Sequence, residues 1–117
     1  MTERDARLLV QDMQRAAEAI AAVVENFGLA AFASDELRRK SVVHHIMVLG
    51  EAASRVPREI RDLAPDIPWR DMVAMRNKLI HAYFGVELQI VDQAAVAELP
   101  ELRLQLEELR KRVDGRG

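Results

Sequence analysis

The stretch LVQDMQRAAEAIAAVVENF, residues 9–27, sets the fold class. Leu9, Met13, Ala16, Ile20, Val23 and Phe27 recur every three or four positions, the spacing that lines one face of an α-helix. Upstream, Thr2 is placed to cap the helix, with Glu3 and Asp5 in its first turn. Downstream, Gly28 reads as its stop. A helix of about 25 residues spans roughly 37 Å at 1.5 Å per residue.

The same period continues outward. A second helix is expected after Ser34, with Asp35 and Glu36 suited to the positive end of its dipole. Its stripe is Val43, Ile46, Gly50 and Ala53, supported by Leu49 and Val56, and Pro57 ends it. Gly50, Ala52 and Ala53 are small enough to admit a neighbouring helix closely. Residues 57–68, PREIRDLAPDIP, hold three of the four prolines and read as a connection, with a short helical turn around Glu59 to Leu63. Pro68 suits the first position of a third helix, expected to reach about Phe84 and stop at Gly85. Met72, Met75, Leu79 and Val86 form its apolar seam. Pro100 divides the remainder into two helices or kinks one, and Leu102, Leu106, Leu109 and Val113 continue the seam beyond it. No alternating strand pattern, internal repeat or low-complexity tract interrupts this. The expectation is an all-α, up-and-down bundle of four to five helices, forming one domain over residues 1–117.

Composition narrows the function. The 117 residues hold 17 basic and 19 acidic groups and no cysteine, for a net charge of -2. Half the residues are apolar and 31% are charged, which excludes a wholly disordered chain. Without cysteine there are no disulfides, thiolate zinc sites or thiol nucleophiles, a composition that fits a reducing cytoplasm. The acidic balance argues against a general nucleic-acid coat protein. No run approaches ~18 uninterrupted apolar residues, so no membrane span is expected, nor a secretory signal at the mixed-charge start MTERDARLLV. The 14 Arg against 3 Lys read as compositional bias. Residues 1–34 carry three basic and five acidic groups, residues 35–81 nine and seven, and residues 82–117 five and seven. The positive excess therefore lies in the middle.

Chemistry concentrates in RNKLIHAY, residues 76–83. On a helix Asn77 and His81 share a face, and Arg76 and Tyr83 share a second line. Arg76 and His81, five apart, diverge by about 140°, so they flank a face instead of stacking on it. His81 titrates near neutrality and suits general acid or base work. Arg76 is a permanent planar cation matched to phosphate oxygens. Tyr83 offers a hydroxyl and an aromatic face, and Asn77 can orient the imidazole. The set suits metal-free RNA cleavage, in which the 2′-oxygen attacks the adjacent phosphorus and Arg76 stabilises the charge that accumulates. An ordinary solvated helix face would carry the same residues.

Other groups read plainly. His44 and His45 diverge by about 100° on a helix and cannot easily share a metal, one facing the interior and the other solvent. Glu51 is either a buried hydrogen-bonding partner of the 76–83 helix or an exposed helix charge. Trp69 is a core or interface anchor. Arg38-Arg39-Lys40 is a solvated face or the edge of an RNA path.

The segment resembles the RxxxxHxY motif of HepT-like toxins, members of the HEPN superfamily of α-helical ribonucleases. Gly50-Glu51-Ala52 is similar to that family's GEA signature. Ile67-Pro68-Trp69 followed by Met75-Arg76-Asn77 is similar to its IPW…RN block, and Leu99-Pro100-Glu101-Leu102 to its LPxL. The blocks stand in the family's order between about Phe32 and Leu109. The resemblance implies a homodimeric bundle whose two RxxxxH motifs face one composite cleft, which would bring the divergent Arg76 and His81 together across protomers. It implies catalytic Arg76 and His81, with Asn77, Tyr83 and Glu51 in support, and an RNA substrate cut without metal or other cofactor. It further implies a nucleotidyltransferase antitoxin of the MNT type that binds the toxin, adds AMP to Tyr83, or both, placing bulky negative charge where RNA phosphate would sit. The competing readings are a non-catalytic HEPN module that docks a nucleotidyltransferase or binds a nucleotide, and a purely structural helical dimer.

Overall fold

The computed structural model describes residues 2–81 and 98–116, with residues 3, 26–34, 81 and 116 described by backbone alone. Among these the regular structure is helical, with five α-helices: α1 (Glu3–Ser34), α2 (Glu36–Arg55), α3 (Arg58–Arg61), α4 (Trp69–His81) and α5 (Leu99–Arg116). α1 packs against both α2 and α5, and α2 also packs against α4. At 1.5 Å per residue the 32 residues of α1 span about 48 Å, which sets the long axis of a body measuring 45 × 29 × 20 Å.

α1 begins with a reciprocal cap. The Asp5 N–H donates to Thr2 Oγ1 at 3.1 Å, and the Thr2 N–H donates to Asp5 Oδ2 at 3.2 Å. Hydrogen bonding to the Asp5 carboxyl from Thr2, first from its side chain and then from its backbone, holds that carboxyl below its ordinary range. Gly28 does not end the helix. Leu29 to Ala33 are good helix formers, and one interior glycine, costing about 1 kcal/mol against alanine, does not outweigh them. The break falls at Asp35, which caps α2 by accepting from the Arg38 N–H at 3.1 Å and pairs with the Arg38 guanidinium at 2.6 Å.

α2 is apolar on two adjoining faces because it lies between α1 and α4. Val42, fully buried, joins Ile46, Leu49 and Ala53 in the core, whereas Val43 is only half-buried, so the stripe sits one residue away from the expected start. Val56 caps the helix ahead of Pro57. In the connection, Ile60 and Ile67 are buried, and the Trp69 indole, also buried, donates to the Ala64 carbonyl at 3.0 Å. Pro68 stands one residue before α4 and supplies its first carbonyl acceptor, to the Met72 N–H at 3.0 Å. Pro100 lies in the first turn of α5, where its missing N–H costs nothing; the stretch before Glu98, which the expected division concerns, lies outside the described residues. Leu102, Leu106, Leu109 and Val113 are all buried. Phe84, Gly85 and Val86 lie outside the described residues. No helix among the described residues is long and apolar enough to cross a membrane.

Candidate functional site

Arg76 and Glu51, 25 positions apart in sequence, meet where α2 crosses α4. Arg76 Nη1 donates to Glu51 Oε2 at 2.6 Å, a short charge-assisted bond. The contact exists because residue 50 is glycine. A Cβ there would lie 2.4 Å from Arg76 Cβ and 2.8 Å from the Met72 carbonyl oxygen, so any side chain would force the helices apart. The Arg76 side chain is 20% exposed, while Glu51 is 55% exposed. Glu51 is thus a partner of the motif helix, but an exposed one. Arg76 Nε is buried and has no acceptor among the described residues.

α4 separates two clefts. Arg76 and Ile80 face one of them, with Glu51, Arg55 and His44 among its other lining groups and Leu9, Met47, Val48 and Ala52 supplying apolar wall. Ile80 is half exposed there. Arg70, Ala74 and Asn77 face the other, opposite Ser54, Arg58, Arg61 and Asp62. Position 81 ends α4 five residues after Arg76, about 140° round the helix, and continues the Arg70–Ala74–Asn77 stripe. For His81 the backbone alone is described, and Tyr83 lies outside the described residues. The structure therefore brings Glu51 to Arg76 and places Asn77 on the other side of α4.

Neither imidazole of the His44–His45 pair enters the core. His44 is exposed and His45 half-buried, with ring centroids 5.2 Å apart in an edge-to-face contact, because flexible χ angles fold the rings back together despite the helical divergence. Burial pushes His45 below its ordinary value, and the charge of His44 adds to this. Among the described residues no group of three or more His, Asp or Glu side chains converges to hold a metal ion. Lys40 pairs with Glu36 at 3.3 Å, and the Arg38–Asp35 pair belongs to the α2 cap. Arg58, Arg61 and Arg70, gathered on the second cleft, were signalled in the sequence only by the positive excess of its middle third.

Comparison with known proteins agrees with this architecture. The chain matches the family model described as "Ribonuclease HepT-like" over residues 13–109. It is 34% identical over 102 residues to a Thermococcus cleftensis protein named "Probable ribonuclease HepT", covering 87% of this chain and 93% of that one. A Methanocaldococcus jannaschii protein named "Putative RNase" is 32% identical over 116 residues, covering 99% of this chain and 96% of its own. No solved structure matches. The chain belongs to the HepT-like ribonuclease family of HEPN-type helical proteins.

Proposed function

We propose that this protein is the toxin of a toxin–antitoxin pair and acts as a metal-independent endoribonuclease through Arg76, His81 and Tyr83. The observation that carries the reading is the Arg76–Glu51 contact at 2.6 Å, which joins two sequence blocks of the family at a glycine-gated helix crossing. Glu51 fixes one edge of the guanidinium and its remaining donors serve a phosphate. In the reaction the 2′-oxygen of RNA loses its proton and bonds to the adjacent phosphorus. The 5′-oxygen leaves and takes up a proton, giving a 2′,3′-cyclic phosphate and a 5′-hydroxyl. His81 handles one of those protons, and Arg76 stabilises the equatorial charge of the pentacoordinate state. Asn77 assists as the polar neighbour of the motif.

Arg76 and position 81 lie on different sides of α4, so one protomer does not present both to one phosphate without a long reach. Two protomers sharing a cleft meet the requirement, and the apolar wall around half-exposed Ile80 suits such a contact. The protein's partner is a nucleotidyltransferase antitoxin that binds the toxin, transfers AMP to Tyr83, or both. Expression of the wild-type chain is expected to arrest growth and cleave cellular RNA. Arg76→Ala and His81→Ala are expected to abolish both effects. Tight binding to a nucleotidyltransferase by a wild-type chain that leaves RNA intact would favour the non-catalytic binding module instead.

A further inference from the structure

The second cleft beside α4 carries a cationic lining that the Arg76 site does not use. Arg58 and Arg70 stand exposed on its two sides and form no ion pair among the described residues. Arg61 is held between them by its own backbone contacts. Its Nε donates to the Val56 carbonyl at 2.9 Å and Nη2 to the Ser54 carbonyl at 3.2 Å, and its guanidinium lies 5.9 Å from the centre of the Trp69 ring. These contacts capture the carbonyls left over at the end of α2 and fix the guanidinium, with no acceptor on Nη1 among the described residues. One acidic residue, Asp62, lines the same groove, so three cations face one carboxylate. That excess is notable in a chain whose net charge is -2. Arg103, Arg110 and Arg112, by contrast, are each paired to carboxylates.

The groove also points somewhere. Arg70, Ala74 and Asn77 follow one another at helical spacing along its α4 wall, and position 81 comes next on that line, about 20° from Arg70. From position 70 to position 81 is about 16 Å at 1.5 Å per residue. That is the length of about four to five nucleotides at the ~3.4 Å spacing of a stacked strand.

We propose that this groove, with Arg58, Arg61 and Arg70 as its cations and Asn77 at its inner end, binds the phosphodiester backbone of single-stranded RNA flanking the scissile bond. The inference rests on the ribonuclease reading and adds to it a substrate-binding track separate from Arg76. The contacts are to phosphate, so the track confers affinity and register without base preference. It explains how an acidic protein holds RNA: few phosphates are gripped, and all within one groove.

The test uses the His81→Ala chain, which leaves RNA intact, and a fluorescently labelled single strand of about ten nucleotides, twice the length of the track. Arg58→Ala/Arg70→Ala in that background is expected to weaken binding at least about fivefold and to flatten the slope of log affinity against log salt by about 1.4, since each phosphate contact on a single strand contributes about 0.7. Arg4→Ala/Arg7→Ala removes the same charge from the exposed start of α1 and is expected to leave both quantities unchanged. Arg61 is left in place because it caps α2. An unchanged slope in Arg58→Ala/Arg70→Ala overturns the proposal and leaves the arginines to an acidic protein surface. An equal loss in Arg4→Ala/Arg7→Ala overturns it too, as general charge attraction. Failure of the ribonuclease reading is seen separately: wild-type chain that leaves RNA intact while the two double variants still differ in binding retains the groove and removes the nuclease.

Discussion

Gly50 is the residue on which the site's geometry turns. Its missing side chain lets α4 approach α2 closely enough for Arg76 to reach Glu51. Gly50→Ala, with a Cβ forced to 2.4 Å from Arg76 Cβ, is expected to destabilise the fold by about 1–3 kcal/mol, as overpacking of a closed interface does. Thermal unfolding should register this as a fall of roughly 5–20 °C. Glu51→Gln separates positioning from stability. The carboxylate is exposed, so its removal is expected to cost under about 1 kcal/mol in urea unfolding, while cleavage falls further because the guanidinium loses its fixed edge. His45 supplies a pH test. Its native pKa lies below the ordinary value of 6.5, so below that pH the unfolded chain takes up a proton that the native one resists. The stability it contributes is complete above pH 6.5 and is lost as the pH falls toward the native value. The urea midpoint should drop over that interval and His45→Gln should flatten the drop.

At the scale of elements, apolar packing and not charge holds α5 to α1. Arg103 makes a paired contact with Glu18 at 2.9 and 2.8 Å and reaches Glu25 at 2.9 Å, but these groups are substantially solvated. Exposed pairs contribute about 1 kcal/mol or less and weaken with salt. Leu106 and Leu109 are fully buried at the same junction, and truncation of such residues costs about 2–5 kcal/mol. Leu109→Ala is therefore expected to lower the urea midpoint several times more than Arg103→Ala, and only the latter effect should shrink in 1 M salt, where the Debye length is about 3 Å. Helix type was legible in the sequence because burial on one or two faces imposes a 3.6-residue period, as in Leu102, Leu106, Leu109 and Val113. Boundaries were less so: Gly28 reads as a stop but is tolerated inside α1. The displaced stripe of α2 has a tertiary cause, since a helix with neighbours on two sides shows no single seam.

At the scale of the molecule, the site's partners divide by how far apart they lie in the chain. Arg76, Asn77 and position 81 were legible as a local helical pattern. Glu51 was legible only through family resemblance, because no period links α2 to α4 across the intervening connection. The groove arginines were visible only as a regional charge, since Arg58 and Arg70 belong to different helices that the 57–68 connection folds together. Arg76 and His81 are proposed to cut RNA through its 2′-oxygen. The most direct test is cleavage of a defined RNA by the purified wild-type, Arg76→Ala and His81→Ala chains in EDTA, with mass analysis of the fragment ends and circular dichroism to establish equal folding. The wild type is expected to leave 2′,3′-cyclic phosphate ends, and both folded variants are expected to leave the RNA intact. Intact RNA with the wild type, or equal cleavage by either variant, would rule out these catalytic roles.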